Sequence, residues 1–238
     1  MTDIHSHLIY NVDDGSRSID ESIELIKKLN EVGFNNIIIT PHYIEGTEYC
    51  SNNDEKLEKI NTLKKALKEN NIKVNLYLGN EIFINDHIID AINDGKAYTL
   101  NGTKYLLFEL PFNNQILNLT DIIYEIKLHG YIPILAHPER YIYFQKDYSL
   151  VDSLHDEGLL FQSNYASILG YYGIGSFKLL KYMIKKQYVD YLGTDLHHIS
   201  NTFVIDNFLK IENKFKRIAG EEYYKKIIKN ADNILKKI

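Results

Sequence analysis

The sequence predicts an α/β fold in which βα units surround a parallel sheet, and three observations lead there. Short β-branched or apolar runs alternate with longer segments of helical period about seven times. The length, 238 residues, suits one α/β barrel or one large doubly wound domain and buries enough surface for a core without staples. No linker, low-complexity tract or shift in composition interrupts the pattern, so residues 1–238 read as a single domain.

Asp3-Ile4-His5 reads as the first strand. Ser18-Ile19-Asp20-Glu21 has the form of a capping box that opens a helix with Ile19, Ile23, Ile26 and Leu29 on one face and Gly33 after its end. Asn36 to Thr40 is a buried-type strand running into Pro41-His42, and Leu57, Ile60, Leu63 and Leu67 mark the stripe of the next helix. Lys73 to Gly79 is a third strand leading to Asn80-Glu81. A short helix from about Asp86 ends near Gly95, and an Asn101-Gly102 turn precedes strand four, Lys104 to Leu110. A helix from Thr120 to His129, closed by Gly130, leads into strand five, Tyr131 to Ala136. Leu159 to Ser163 and Tyr188 to Gly193 are strands six and seven. A helix around Phe177 to Lys186 separates them, and two amphipathic helices complete the chain.

Composition narrows the class of protein. Hydrophobic residues make up 45% and charged residues 25%, with four Pro, as in a folded soluble domain. Cys50 is the single cysteine and closes no intrachain disulfide, so nothing calls for an oxidising compartment. Met-Thr-Asp-Ile-His-Ser-His lacks the basic start and apolar stretch of a signal peptide, and no run of about 18 apolar residues follows. A cytoplasmic protein without membrane insertion is the expectation. The net charge of −5 gives no electrostatic footprint for nucleic acid.

The chemistry concentrates at strand ends. Of nine histidines, His5, His7, His42, His137 and His197 fall at or just past the C-terminal end of an expected strand, as do Glu81, Glu109 and Asp195. In an α/β barrel those ends converge, so residues scattered from position 5 to 197 meet in one cavity. Singly, each has a bland explanation as a capping or hydrogen-bonding residue. The joint pattern is harder to dismiss, because His87, His129, His155 and His198 sit in helical segments or beside a better-placed histidine. Imidazoles with carboxylates are the ligand set of Zn²⁺, Mn²⁺ or Fe²⁺, and the lack of clustered cysteines excludes thiolate-rich zinc. His5 and His7, two apart on a strand, face the same way. The ligands are too many for one ion, so two or three are expected, and a pocket of net positive charge would suit a phosphate ester. Arg17 and Arg140, two of only three arginines, follow strand-end motifs where a planar fork can clamp phosphate oxygens. The bland reading of each is an ion pair, with Glu139 or Asp20 as partner.

These segments resemble the metal-dependent tyrosine-protein phosphatases of bacterial capsule and exopolysaccharide operons, within the polymerase-and-histidinol-phosphatase (PHP) superfamily. The resemblance is carried by Asp3-Ile4-His5-Ser6-His7, Val12-Asp13-Asp14-Gly15, Thr40-Pro41-His42, Gly79-Asn80-Glu81, Phe108-Glu109-Leu110-Pro111-Phe112, Gly130 through Tyr141 with His137-Pro138-Glu139-Arg140, and Gly193-Thr194-Asp195-Leu196-His197. It implies a distorted (β/α)7 TIM-like barrel, the PHP fold, with a centre of three Mn²⁺, Fe or Zn being alternatives. One ion would be held by His5, His7, Glu81 and Asp195, a second by Asp14, His42 and His197, and a third by Glu109 and His137. Arg140 matches the arginine that binds the phosphoryl group, with Arg17 as a further phosphate contact, and Asp14 or Asp195 would lend a proton path. Gln162 and Asn164 match a segment of positional role. The implied substrate is a phosphotyrosine protein, a cytoplasmic tyrosine kinase of the same pathway, attacked by water without a phospho-enzyme; an oligomer is allowed. The chain departs from the pattern after His197-His198-Ile199-Ser200-Asn201, where relatives commonly reach an arginine, which bears on fine specificity.

Competing chemistries are testable in the letters. A thiol phosphatase needs a cysteine followed six residues later by arginine, and Cys50 is followed at that spacing by Lys56. Amidohydrolase-type barrels want further histidines on strands five and six, and strand six carries Gln162 and Asn164 instead. A small-molecule phosphatase of the histidinol-phosphate type is the nearer alternative, and a regulatory module without turnover the non-enzymatic one. Tyr43, Tyr141 and Tyr165 lie close in sequence to the motifs, but in a chain with 19 tyrosines this is weak evidence, and they are left outside the site.

Overall fold

The computed structural model describes residues 1–50 and 53–236. Nine strands among them form two parallel sheets. The strands are β1 (Thr2–Asp3), β2 (Asn36–Ile39), β3 (His42–Tyr43), β4 (Asn75–Leu78), β5 (Glu81–Phe83), β6 (Tyr105–Glu109), β7 (Ile132–Ala136), β8 (Leu160–Asn164) and β9 (Val189–Gly193). One sheet has the order β1-β2-β4 and the other β3-β5-β6-β7-β8-β9, every pairing parallel. The helices are α1 (Ile19–Glu31), α2 (Asn53–Glu69), α3 (Ile88–Asn93), α4 (Leu119–Leu128), α5 (Ile142–Lys146), α6 (Ser149–Asp156), α7 (Ile174–Lys186), α8 (Phe203–Asp206), α9 (Phe208–Ala219) and α10 (Glu221–Ile234). No helix among the described residues is long and apolar enough to cross a membrane.

Two expected strands, 36–40 and 73–79, form as β2 and β4, and past a kink each is followed by a short strand that was not expected, β3 and β5. Thr40 and Pro41 separate β2 from β3, and Pro41 lacks the N–H a ladder needs. Gly79 and Asn80 separate β4 from β5, where Leu100 wedges in so closely that a Cβ on Gly79 would stand 2.9 Å from its Cδ2. Below these kinks the chain belongs to the smaller sheet, and above them it carries His42 and Glu81 in the larger one. The first strand is shorter than the expected Asp3–His5 because a side chain replaces the ladder. Asp3 Oδ1 accepts the Thr194 N–H at 3.0 Å, and its Oδ2 accepts the Thr194 hydroxyl at 2.5 Å. Past it, His7 N–H donates to Leu196 O at 2.9 Å and Asp195 N–H to His5 O at 2.9 Å, joining the chain after β1 to the chain after β9.

The main core lies between strands and helices. Half of the expected capping box forms, Ser18 Oγ accepting from Glu21 N–H while Glu21 Oε2 accepts from Arg17 N–H and not from Ser18, and Leu25, Ile26 and Leu29 of α1 are buried. A separate buried cluster joins Ile4, Ile38, Leu107, Ile134 and Tyr191, contributed by the first segment, β2, β6, β7 and β9, with Ala231 and Ile234 of α10. Helices α5 and α6 were not expected. Each is too short to show a helical period in sequence, and α6 buries only Val151 and Leu154.

Lys56 of α2 is fully buried, its Nζ 3.3 Å from Asn53 Oδ1 and 5.9 Å from the centre of the Tyr43 ring. Burial pushes its pKa down to about 8, below the unfolded value of about 10.4. The penalty for charging it is therefore fully present below pH 8 and fades as pH rises toward the unfolded value. Lys56→Met is expected to raise Tm at pH 7, with the gain shrinking by pH 10; thermal melts at both values check this, and a lower Tm at pH 7 refutes it.

Candidate metal centre

The expected site residues come together at one end of the strands. His42 and Glu81 open β3 and β5, and Glu109 closes β6. His137 follows β7 and Asp195 follows β9, both in the left-handed region, at φ 36° and 52°. Two non-glycine residues held there in one site store strain, as functional residues often do.

Glu81 is the hub. Its Oε2 lies 3.2 Å from His5 Nε2, 3.3 Å from His7 Nε2 and 3.2 Å from His42 Nδ1, and its Oε1 lies 2.7 Å from His137 Nε2. Asp195 Oδ1 stands 3.6 Å from His5 Nε2, His7 Nε2 and His197 Nδ1. Glu109 Oε1 is 3.0 Å from His42 Nδ1, while Asp14 Oδ1 is 3.5 Å from Nε2 of both His42 and His197. Three groups have donor atoms within 4.8 Å of one another: His5, His7 and Glu81; His7, Asp14, His42 and His197; and His42, Glu81 and Glu109. His137 thus sits against Glu81 and not in a group with Glu109 alone.

Hydrogen bonds away from the cluster aim the imidazoles into it. His5 Nδ1 donates to Gln162 Oε1 at 2.7 Å, His7 Nδ1 to Asp13 Oδ2 at 2.7 Å and His197 Nδ1 to the Asp195 carbonyl at 3.0 Å. Each leaves Nε2 as the ring atom that faces the cluster. Gln162 Nε2 in turn donates to Asn164 Oδ1 at 3.0 Å, and Asn164 Nδ2 to Asp195 Oδ2 at 2.6 Å. A relay of amides therefore ties His5 to Asp195.

The electrostatics ask for cations. Burial alone would raise the Glu81 pKa, but the charges of His5 and His42 hold it well below the carboxylate range, and His5 and Arg140 do the same for Asp195. Burial would lower His42, yet Glu81 and Glu109 push it up to about 9; Asp13 likewise raises His7 against its burial. His137 goes the other way, down to about 4, from burial and the nearby Arg140. Protons on imidazoles are thus balancing buried carboxylates, and metal binding replaces such protons. His42 Nδ1 is buried between two carboxylate oxygens without forming a hydrogen bond. A nitrogen so placed fits a shared cation, and the mixed N and O donors suit Mn, Fe or Zn.

Arg140 Nη1 donates to Asp195 Oδ2 at 2.7 Å. Its ion pair is therefore with Asp195 and not with Glu139, whose buried carboxylate accepts from Asn164 N–H and Ser167 Oγ. Arg17 stands exposed at the entrance to α1, its backbone N–H on Glu21 Oε2, outside the cluster. Tyr43, Tyr141 and Tyr165 are buried packing residues; Tyr141 OH, for instance, donates to Ala136 O. His87, His129 and His155 are absent from the three groups, and His198 is 3.8 Å from Glu21. Sequence reasoning missed Asp13, which orients His7 and also accepts the His42 and Gly15 N–H groups. It also missed Phe112 and Tyr172, which flank Arg140. The groove of about 680 Å³ lined by Lys64, Lys68 and Lys73 shares no residue with the cluster.

A parallel α/β fold whose strand ends gather histidines and carboxylates beside an anchored arginine defines a class of proteins built to hold divalent metal next to an anion. Within that class the chain belongs to the CpsB/CapC family of capsular polysaccharide synthesis, whose model matches residues 1–236. It is 35% identical over 236 residues to CapC of Staphylococcus aureus, covering 99% of this chain and 91% of that protein. It is 28% identical over 240 residues to the tyrosine-protein phosphatase YwqE of Bacillus subtilis, covering 99% and 92%. A crystal structure from work on YwqE of B. subtilis and CpsB of Streptococcus pneumoniae, described as metal-dependent tyrosine phosphatases, superposes with a TM-score of 0.90 at 27% identity, covering 99% of this chain and 94% of that one. The lactonase Lmo2620 of Listeria monocytogenes shares the fold alone, with a TM-score of 0.62 at 10% identity.

Proposed function

We propose that the chain is a metal-dependent phosphatase that hydrolyses phosphotyrosine on a protein substrate. The observation that carries this reading is the convergence of five histidines and four carboxylates beside Arg140, in a member of this family. The ligands in this reading are His5, His7, Glu81 and Asp195; Asp14, His42 and His197; and Glu109 with His137. Bound divalent ions, three Mn²⁺ or else Fe or Zn, would neutralise phosphoryl charge and acidify a water.

The chain's own residues do the rest. Gln162 and Asp13 hold His5 and His7 in the tautomer that faces the cluster. Asp195 is pinned by Arg140 and Asn164 and stays ionised, so it serves as a ligand and not as a proton donor. Arg140 has one nitrogen on Asp195 and offers the rest of its fork to phosphoryl oxygens. Asp14 has a half-exposed side chain and so lies on the route by which a proton reaches the departing phenol from solvent. A phenol with a pKa near 10 needs little such help. No covalent enzyme intermediate is required, and Cys50, exposed and without an arginine partner in sequence, takes no part.

The same reading extends to architecture and setting. The two sheets are one distorted seven-stranded barrel, supported by the bonds from His5 and His7 to the chain after β9 and by the inner cluster of Ile4, Ile38, Leu107, Ile134 and Tyr191. It forms a single cytoplasmic domain acting on a tyrosine kinase of a capsule or exopolysaccharide pathway, as a monomer or an oligomer, with Arg17 a further phosphate contact.

Chelator-stripped protein is expected to release no phosphate from a phosphotyrosine peptide until Mn²⁺ is added, and to prefer that peptide to histidinol phosphate. Turnover by the metal-free chain refutes metal dependence. A preference for histidinol phosphate keeps the centre and moves the substrate to small molecules.

A further inference from the structure

Arg140 lies over two aromatic rings. Its guanidinium carbon lies 4.8 Å from the centre of the Phe112 ring and 4.5 Å from that of Tyr172. A guanidinium carries its donors around the edge of a plane. That edge is what meets a ligand, and one nitrogen of it already bonds Asp195 at 2.7 Å. The rings also take the place of water beside the guanidinium, which strengthens the bonds its edge makes.

Neither ring is part of the fully buried core. Phe112 lies in irregular chain after β6, half-buried, and its ring also stacks on His137 at 5.6 Å and 21°. Tyr172 lies in the connection between β8 and α7, also half-buried. Its hydroxyl makes only long contacts, 3.4 Å to Asn164 Nδ2 and 3.5 Å to Asp195 Oδ2. The short, well-formed bonds around Asp195 come from Arg140 and Asn164, so what Tyr172 offers Arg140 is its ring.

We propose that Phe112 and Tyr172 are positioning residues that clamp Arg140 in the plane in which its free edge meets the oxygens of the substrate phosphoryl group. The proposal rests on the phosphatase reading of the site. Orientation of this kind carries rate, because a displacement of about 1 Å in a group that contacts the transition state costs about 10²-fold.

The test is a double-mutant cycle on the Mn²⁺-loaded protein, read by turnover of p-nitrophenyl phosphate and by calorimetric binding of inorganic phosphate. Tyr172→Leu and Phe112→Leu are each expected to lower kcat/KM and phosphate affinity about 10-fold with metal content unchanged. Tyr172→Phe, which keeps the ring, should recover most of what Tyr172→Leu loses. In an Arg140→Lys background, where no plane remains to be held, either leucine variant should add less than about 2-fold. Three results overturn the clamp: leucine variants that match the parent, losses of equal size in the Arg140→Lys background, or a Tyr172→Phe variant as impaired as Tyr172→Leu. A parent protein inert on every phosphoester refutes the phosphatase reading instead, and the phosphate-binding arm still decides the clamp.

Discussion

Glu81→Gln is expected to lower kcat on a phosphotyrosine peptide by at least about 10³-fold and to release part of the bound metal. The substitution keeps shape and volume, so a loss reports charge and donor chemistry more than packing. Glu81 touches four imidazoles, from His5, His7, His42 and His137, at 2.7 to 3.3 Å. Removing its charge withdraws the largest upward influence on the pKa of both His5 and His42. The histidines then shed protons, and an amide that can offer only one neutral oxygen faces four ring nitrogens. The effect on cation binding exceeds that of losing an orienting residue such as Asp13, where about 10- to 100-fold in metal affinity is the norm. Metal analysis of dialysed protein and steady-state turnover measure the two losses together. His129→Gln is the control: His129 is an exposed residue bonded to the Glu125 carbonyl, and it should change neither. A Glu81→Gln protein with full metal and turnover within about 10-fold of the parent would remove Glu81 from the centre of the site.

How much of this was legible in the sequence depends on the kind of residue. His5, His7, His42, Glu81, Glu109, His137 and Asp195 stood out because each interrupts an apolar strand at its end with a group that is costly to bury unpaired. A periodic pattern that stops at such a residue says something about space as well as sequence. The orienting residues gave no such signal. Asp13 precedes Asp14 in a polar loop, and only the turn of that loop decides which carboxylate faces His7 and which faces His42 and His197. Gln162 and Asn164 were legible by family resemblance, but the direction of their amide relay was not. Phe112 and Tyr172 reach Arg140 only through the packing of three separate connections, and a chain with 19 tyrosines offers many false candidates. The fold was legible where strands ran at least four residues with helices of useful length between them. It was not where Pro41 and Gly79 kink the chain, since the residue packed against the second kink, Leu100, is distant in sequence.

Gly15→Ala is expected to destabilise the protein by about 3 kcal/mol and to lower activity at the same time. Gly15 needs no left-handed backbone, so the argument is one of space alone. A Cβ there would stand 2.1 Å from the His7 carbonyl oxygen, 2.7 Å from His7 Cβ and 2.9 Å from Asp13 Oδ1. No rotamer change relieves a collision with a carbonyl. That carbonyl accepts the Ser16 N–H at 3.1 Å, and Ser16 O accepts from Asn11 N–H at 2.8 Å, so the whole loop is drawn against the first segment. Moving it out breaks the Gly15 N–H bond to Asp13, which frees the carboxylate that orients His7 and accepts the His42 N–H. Stability and site geometry therefore fail through one contact. Gly46→Ala is the comparison: its added Cβ meets nothing within 4 Å, and its left-handed φ of 78° brings backbone strain but no contact with the site. Denaturant melts should show Gly15→Ala as the more damaging of the two, with a lower Mn²⁺ affinity that Gly46→Ala does not share. Equal losses of stability with unchanged Mn²⁺ affinity in both would mean that the loop yields without moving Asp13, and the coupling between turn and metal centre would be wrong.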